Sequence, residues 1–341
     1  MTTATSYPEE NPGPSPTIEH AFDVLDRELN LDPRERIRAV KLHLEITTHL
    51  KKAGVIDNAI LQGSVARKTA LKPLRDIDKV GFLHPNHDGL QSSPGGADDA
   101  ARLVEDVLRR AYPDALIERA RHAIQLDFGE HTFSFDLVPA FECDDGTGDM
   151  MIMDLVSQTG PWKRSNTRTL IDVVAEKNQQ CGGKFVHVVR MVKHWARQVF
   201  GEALPGLHVE SIAFAVLSEV TSYGEAVSLV FEHGAALLGG SGYTDPTGDE
   251  HLSDKLDVGT REEVRRAFEG AAVKSTRALR LDANGRASEA IAAWHEIFGA
   301  PFPASSPSEK GFLAALGLGA PVNTGVRQPK PSTTPTRAWA P

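Results

Sequence analysis

The chain has 341 residues, of which 40% are hydrophobic and 24% are charged, and its formal net charge at pH 7 is -9. This composition is ordinary for a globular protein and unlike that of a disordered or membrane-embedded chain. The acidic balance argues against a large nucleic-acid surface, because binding to a phosphate backbone needs clustered Lys and Arg.

The length exceeds that of one compact domain, so we expect two packed lobes that share a cleft. Cys143 and Cys181 are far apart and show no CxxC spacing, which gives no sign of a disulfide framework or a structural zinc site. No apolar run reaches the roughly eighteen residues that cross a bilayer, and the first residues do not resemble a signal peptide. We therefore predict a cytoplasmic protein with no membrane partner.

The first predicted helix follows a Pro-rich stretch, residues 1–16, which we expect to be disordered. It begins at Asp32, whose side chain can cap it, and ends at about Ala53, before Gly54. Six apolar side chains recur along it and predict a broad apolar face that packs against a sheet. They are Ile37, Val40, Leu42, Leu44, Ile46 and Leu50.

Strands and helices then alternate before the pattern becomes helical at about residue 167. Predicted strands lie at 58–62, 76–83, 115–118, 123–128 and 132–141, the last three forming a meander, and a helix lies at 98–111. Further helices are predicted at 170–179, 185–200, 209–221, 225–238, 261–281 and 288–298. We predict an α+β fold with a mixed-sheet lobe at 17–165, a helical lobe at 166–318 and a disordered Pro-rich tail at 319–341.

Three aspartates carry the chemistry that the sequence predicts. Asp76 and Asp78 are two residues apart in a predicted strand, so their side chains project from the same face. Asp136 lies in another strand among apolar residues, where an ionised carboxylate must be paired or must bind a metal. Three such carboxylates can hold two Mg²⁺ or Mn²⁺ ions, which is the arrangement of phosphoryl-transfer sites. The alternative is that Asp76 and Asp78 lie in a solvated polar turn.

Gly63 and Ser64 lie where a strand ends and a helical segment is predicted to begin. Backbone N–H groups at such a point, together with the Ser64 hydroxyl, can bind the β and γ phosphates of a nucleotide. A local pocket of this kind is compatible with an acidic protein. The order of the Gly-Ser pair, the two aspartates and the third aspartate is more specific than any one of these features.

These residues resemble the DNA polymerase β-like nucleotidyltransferases, and within them the bacterial cGAS/DncV-like enzymes, or CD-NTases. The stretch from Leu61 to Asp78, LQGSVARKTALKPLRDID, is similar to the motif that joins Gly-Ser to the first two aspartates in that family. The phrase Asp136-Leu137-Val138-Pro139 is similar to its third-carboxylate strand. The resemblance covers roughly residues 55–250 and implies a two-lobed nucleotidyltransferase fold.

The resemblance also implies a role for each site residue. Asp76, Asp78 and Asp136 would be catalytic and would bind two Mg²⁺ or Mn²⁺ ions. Two helical residues join the nucleotide-binding set: Lys193, in Arg190-Met191-Val192-Lys193-His194-Trp195, and Ser211, which follows Glu210 where the family often has a basic residue. The nucleotide-binding residues are Gln62, Gly63, Ser64, Lys193 and Ser211. A surface position for Lys193 and a helix-cap role for Ser211 stay open as alternatives.

The implied reaction joins nucleoside triphosphates, with ATP and GTP as the first candidates, into a cyclic di- or trinucleotide used in antiphage (CBASS) signalling. Two other interpretations stay open: transfer of one nucleotide to tRNA or protein, and a catalytically silent nucleotide-binding scaffold. The acidic charge disfavours tRNA. The basic cluster Arg67, Lys68, Lys72 and Arg75 could attract phosphate or could be a solvated loop, and the tail is a candidate docking segment for a regulatory protein.

Overall fold

A computed structural model of the chain describes residues 17–129, 133–157 and 160–304. The residues predicted to be disordered at the two ends lie outside these ranges. The α-helices are α1 (Ile18–Leu29), α2 (Pro33–Lys52), α3 (Gly63–Ala66), α4 (Gly89–Ser92), α5 (Gly96–Ala111), α6 (Thr167–Gln180), α7 (Phe185–Phe200), α8 (Gly206–Val216), α9 (Tyr223–Gly239), α10 (Val258–Ala283) and α11 (Ala287–Phe298). The strands are β1 (Ile56–Leu61), β2 (Asp76–Leu83), β3 (Leu116–Arg119), β4 (Ile124–Asp127), β5 (Ser134–Glu142), β6 (Met150–Met153) and β7 (Trp162–Ser165).

The strands form one mixed sheet in the order β1-β2-β5-β4-β3, with β6 paired to β5 and β7 paired to β6. Strands β2 and β5 are parallel, whereas every other pair is antiparallel. The predicted meander of β3, β4 and β5 is confirmed. The short strands β6 and β7 were not predicted, because neither shows an alternation long enough to stand out from a loop.

Helix α2 begins and ends at the expected points, but its buried face differs from the prediction. The Asp32 side chain accepts a hydrogen bond from the Arg34 N–H at 2.7 Å, and Pro33 is the first helical residue. The prediction that all six apolar residues face the sheet was wrong. A helix that lies on a sheet buries one stripe, and here that stripe is Ala39, Leu42, Ile46 and Leu50. The other apolar residues are exposed: Ile37 by 67%, Val40 by 43% and Leu44 by 58%.

The described residues form two large hydrophobic cores. The first fills the space between the sheet and helices α2 and α5, with Ile46, Ile77 and Leu108 among its fully buried members. The second lies among the helices that follow the sheet, and helix α1 packs there as well: Phe22 contacts Trp294 at 5.0 Å between ring centroids. Helix α1, which was not predicted, therefore belongs to the helical core although it precedes the sheet in sequence.

A third and smaller apolar cluster covers the other face of the sheet. It contains Val80, Phe82, Val138 and Ala140 from the central strands β2 and β5. The aspartates of these strands project from the same face, since their positions differ from those apolar residues by even numbers. No helix within the described residues has both the length and the apolar composition to cross a membrane.

Candidate active site

The pairing of β2 with β5 brings the predicted carboxylates into one row. Asp78 lies opposite Asp136 in the parallel register, and Asp76 lies opposite Ser134. Asp78 is 7% exposed and Asp136 is 2% exposed, while Asp76 is half-buried. Two acidic side chains on adjacent strands are thus almost fully removed from water, with the third acid at the rim.

The carboxyl group of Asp78 is unfavourably placed for a negative charge. Burial, together with the nearby charges of Asp76 and Asp136, raises its pKa to about 7, while Arg67 and Lys193 act in the opposite direction. Its Oδ1 atom is buried and has no hydrogen-bond partner among the described residues. A buried carboxylate oxygen without a donor is costly to keep, so its position suits a bound cation.

Gly63 brings the backbone against this carboxylate. It has φ +66°, a left-handed conformation that glycine adopts without strain, and a Cβ atom there would lie 1.7 Å from Asp78 Oδ2. The preceding Gln62 N–H donates to the Asp78 carbonyl at 2.9 Å, which fixes the end of β1 on β2. Ser64, in the first turn of α3, uses its own carbonyl to accept the N–H groups of Thr69 and Ala70. The Gly-Ser pair is therefore held beside the aspartates.

Gln62 connects this loop to helix α6. Its side chain is buried, and its Oε1 accepts a hydrogen bond of 3.2 Å from the Thr167 hydroxyl. The adjacent Asn166 donates to Thr247 Oγ1 at 2.8 Å. The loop containing Asp245 and Thr247 therefore holds the start of α6.

Lys193 lies on α7 and extends to the motif loop. Its Nζ donates to the Thr69 carbonyl at 3.0 Å. Gly206 makes room for this side chain, since a Cβ atom there would lie 2.6 Å from Lys193 Cε. Burial lowers the pKa of the Lys193 ammonium to about 8. The alternative of a fully solvated surface lysine is thus excluded.

Ser211 lies inside α8 rather than at its start. The helix begins at Gly206, three residues earlier than predicted, so Ser211 is in the second turn and cannot cap it. Its side chain is 1% exposed, and its Oγ has no hydrogen-bond partner among the described residues. The cap alternative is excluded, whereas nucleotide binding by Ser211 stays a prediction.

Two residues that were not assigned a role contact the site. Glu210 is fully buried and accepts hydrogen bonds from Arg67 Nε and from Thr69 Oγ1, the latter at 2.7 Å. Gln125 on β4 lies opposite Asp136 and donates from Nε2 to its two carboxylate oxygens at 3.3 and 3.4 Å. The sequence feature that could have identified Gln125 is its polar side chain between the apolar residues Ile124 and Leu126 of a strand.

The carboxylate oxygens of this site are ligands of the kind that a divalent metal ion prefers. Carboxylate oxygens are the ligands that Mg²⁺ and Mn²⁺ prefer, and the unpaired Asp78 Oδ1 marks a place where a cation would relieve an unsatisfied group. In the described part of the chain, however, no three acidic, histidine or cysteine side chains stand close enough to hold one ion together. Binding two ions would therefore require these side chains to adjust.

Several known proteins are similar to this chain in sequence or in fold. Residues 17–178 match the model of the Second Messenger Oligonucleotide or Dinucleotide Synthetase (SMODS) domain. A "probable cyclic nucleotide synthase" of Bacillus cereus (strain VD146) is 24% identical over 269 residues, which cover 71% of this chain and 81% of that protein. Residues 17–178 therefore belong to the SMODS family.

Solved structures show the same fold at low sequence identity. CdnC of Escherichia coli MS115-1, solved with ATP, superposes with a TM-score of 0.66 at 16% identity, and the match covers 84% of this chain and 98% of CdnC. The same protein in complex with HORMA-deltaN gives a TM-score of 0.65 at 17% identity, covering 84% and 99%. The DncV cyclic AMP-GMP synthase of Vibrio cholerae gives 0.59 at 15% identity, covering 84% and 87%. The mixed sheet with its helices is thus the fold of these nucleotidyltransferases.

Proposed function

We propose that this protein is a CD-NTase that condenses nucleoside triphosphates into a cyclic di- or trinucleotide and releases pyrophosphate. The observation that carries the proposal is the buried pair of Asp78 and Asp136 on adjacent strands, with the backbone of Gly63 against the Asp78 carboxylate. The match to the SMODS domain and the names of the relatives support this reaction.

Asp76, Asp78 and Asp136 would hold two Mg²⁺ or Mn²⁺ ions, which lower the pKa of an attacking hydroxyl and neutralise charge on the triphosphate. The backbone of Gly63 and Ser64, the Lys193 ammonium and the Ser211 hydroxyl would bind the donor triphosphate. Gln62 holds the Gly-Ser loop through Thr167. The chain itself contributes positioning and charge neutralisation rather than a covalent intermediate.

The substrates that we propose are ATP and GTP, alone or together. CdnC has been solved with ATP, and DncV is named as a cyclic AMP-GMP synthase, which supports purine nucleotides as the first candidates. The HORMA complex of CdnC supports a regulatory protein partner for this enzyme as well. We propose that the product acts in antiphage signalling, as the resemblance to CD-NTases implies, and that the enzyme is cytoplasmic, as the sequence predicts.

The test is incubation of the purified chain with labelled ATP, GTP, CTP and UTP plus Mg²⁺ or Mn²⁺, followed by phosphatase treatment and mass analysis. We expect a phosphatase-resistant oligonucleotide that is absent without metal and absent from the Asp76→Ala/Asp78→Ala variant. A linear product, or labelling of added tRNA or protein, would instead indicate nucleotide transfer to a macromolecule. Absence of pyrophosphate release despite tight nucleotide binding would indicate a silent scaffold.

A further inference from the structure

The motif loop, residues 67–75, joins helix α3 to the strand that carries Asp76 and Asp78. Its backbone at Lys68 has φ +62°, a left-handed conformation in which the Cβ atom of any residue except glycine crowds the backbone. The Lys68 side chain is exposed, so it gives no reason for this conformation. Contacts of the Lys68 backbone must therefore stabilise the turn.

Arg190, on helix α7, contacts this turn directly. Its Nη1 donates to the Lys68 carbonyl at 2.9 Å, and Lys193, one turn further along α7, donates to the Thr69 carbonyl at 3.0 Å. A right-handed conformation at Lys68 would rotate its carbonyl away from α7 and break the bond to Arg190. Two cations of one helix thus hold consecutive carbonyls of the motif loop.

A carboxylate of helix α1 orients the guanidinium from its other side. Arg190 Nη2 donates to Asp26 Oδ1 at 3.0 Å, and His187 Nδ1 lies 2.6 Å from the same oxygen. The side chain of Arg190 is 5% exposed. Burial raises the pKa of Asp26, but its hydrogen bonds with His187 and Arg190 outweigh that effect, and the pKa lies below its usual value. The buried guanidinium therefore has an ionised partner, and its two Nη groups serve different acceptors.

Helix α1 also contacts the motif loop at a second point. The carbonyl of Leu29, the last residue of α1, accepts the Lys72 N–H at 3.1 Å. Within the loop, the Thr69 and Ala70 N–H groups donate to the Ser64 carbonyl at 2.9 and 3.1 Å. The turn at Lys68 thus lies between the Gly-Ser pair and the chain that leads to Asp76, so its conformation sets where the two lie relative to each other.

We propose that Arg190 is a positioning residue for the reaction, and that Asp26 keeps it in place. By holding the left-handed turn at Lys68, Arg190 fixes the Gly-Ser pair relative to Asp76 without touching the substrate. This inference rests on the proposed function, because it concerns the reaction at that site. The contact to the loop comes from α7 and its anchor from α1, so two helices of the helical core set the geometry of a loop that leads into the sheet.

The direct test is Arg190→Lys, which keeps a positive charge beside Asp26. A single ammonium group cannot reproduce the two fixed Nη donors of the guanidinium, so the bond to the Lys68 carbonyl or the bond to Asp26 is lost. We expect kcat, measured at saturating ATP and GTP with Mg²⁺, to fall by about tenfold, because a small displacement of reacting groups is sufficient for such a loss. An unchanged kcat would overturn the proposal.

Lys68→Gly separates positioning from a general loss of structure. Glycine adopts the left-handed conformation without the cost that other residues meet, so the turn then depends less on Arg190. We expect Lys68→Gly to change kcat by less than about twofold in the parent but to raise it by about threefold or more in the Arg190→Lys background. Lys68→Ala is the matched control, since it removes the same side chain but keeps a Cβ atom, and it should restore nothing. Recovery with both variants, or with neither, would overturn the proposal.

Asp26→Asn tests the anchor, and it replaces Arg190→Lys if circular dichroism shows that variant to be misfolded. It keeps the guanidinium but removes the charge that orients it, so we expect a severalfold loss of kcat that Lys68→Gly again restores.

Arg119→Gln is the control for the loss of an ion pair elsewhere. Arg119 lies on β3, at the edge of the sheet, and donates to Glu105 at 2.8 Å. We expect kcat to stay within about twofold of the parent, because sites that share no partners act independently. An equal loss with Arg119→Gln would indicate a general effect on stability and overturn the proposal.

Hydrogen–deuterium exchange of the nucleotide-free chain distinguishes this inference from the proposed function. We expect the peptide that contains Thr69 and Ala70 to exchange about tenfold faster in Arg190→Lys than in the parent, since a hydrogen bond from a charged donor is among the stronger ones. Helix α10 should exchange at the parental rate. Faster loop exchange in a chain that forms no cyclic product would support the hold of Arg190 on the loop and contradict the reaction. Parental loop exchange together with a parental kcat would support the reaction and overturn the inference.

Discussion

The two faces of strand β2 each bury a charged side chain, but in opposite surroundings. The face of β2 that carries Asp76 and Asp78 is the cleft face. There, Asp78 lies beside two further acids, and one of its oxygens has no protein donor among the described residues. On the opposite face, Lys79 is fully buried beneath α2, where its Nζ donates to the His43 carbonyl at 2.8 Å and to Thr47 Oγ1 at 2.6 Å. Both of these acceptors are neutral oxygens.

Burial shifts the pKa of both groups toward neutrality, so a shifted pKa alone does not identify a site. Burial lowers the pKa of Lys79 to about 7, and burial with neighbouring acids raises that of Asp78 to about 7. The difference is that Lys79 makes hydrogen bonds within the protein, whereas Asp78 has like charges beside it and an unpaired oxygen. That surplus of negative charge is what a functional cation would remove.

The largest effect that we predict comes from Asp78→Asn. Loss of this carboxylate should reduce product formation by about a thousandfold or more, because a metal ligand and its charge are removed. The same change should stabilise the metal-free protein at pH 8 by up to about 4 kcal/mol, since the raised pKa of Asp78 means that its charged form is disfavoured in the folded chain. Activity assays and denaturant unfolding measure the two effects.

The pH dependence sharpens this prediction. Between about pH 4 and pH 7 the folded metal-free chain binds more protons at Asp78 than the unfolded chain, so the free energy of unfolding falls as pH rises. Asp78→Asn should remove that fall. Asp57→Asn, at an exposed position of β1, is the control and should change neither activity nor the pH profile. A destabilised Asp78→Asn protein at pH 8 would contradict the account of the cleft face.

Local patterns predicted the cleft face well. The alternation of a strand placed Asp76 and Asp78 on one side, and an apolar strand around Asp136 indicated a neighbour. The contacts of Lys79 could not be predicted in this way, because its acceptors belong to a helix more than thirty residues earlier. The same holds for Glu210 and Arg67, which meet only through the packing of α8 on the motif loop.

Helix predictions failed where periodicity allowed more than one answer. Ile37, Val40 and Leu44 have helical spacing, yet the stripe through Leu42 and Ile46 is the one that is buried.

Helix α1 was not predicted, although the sequence contains the signals of a helix there. The Thr17 hydroxyl caps it, and five of its residues follow helical spacing into the core: Ile18, Ala21, Phe22, Leu25 and Leu29.

The second largest effect that we predict is that of Gly63→Ala, which changes the backbone in contact with the cleft face. Gly63→Ala adds a Cβ atom that would lie 1.7 Å from Asp78 Oδ2, so either the loop or the carboxylate must move. We expect product formation to fall by about a hundredfold, because a displacement of about 1 Å at a reacting centre is sufficient for such a loss. Initial rates at saturating nucleotide measure it.

Gly54→Ala is the matched control for Gly63→Ala. Gly54 has φ +70°, and a Cβ atom added there would have no described atom within 4 Å apart from those of the glycine and its two chain neighbours, so its substitution introduces the same backbone strain without the contact. We expect a stability loss of about 1 kcal/mol and normal activity for Gly54→Ala. If both variants lose activity equally, backbone strain rather than the approach to Asp78 explains the result.

The smallest effect that we predict is that of Lys79→Met, which tests the face of β2 opposite the cleft face. Between about pH 7 and pH 10.5 the unfolded chain binds more protons at Lys79 than the folded chain, so the free energy of unfolding of the parent rises with pH. Met fills a similar volume without a charge, and we expect it to remove that rise and to stabilise the protein at pH 7 by about 2 kcal/mol.

Lys41→Met, at an exposed position of α2, is the control and should change stability by less than about 0.5 kcal/mol. Activity should stay within about threefold of the parent for both variants, because neither lysine faces the cleft. A large loss of activity with Lys79→Met would mean that the two faces of β2 are coupled, and that the buried ammonium helps to hold the carboxylates in place.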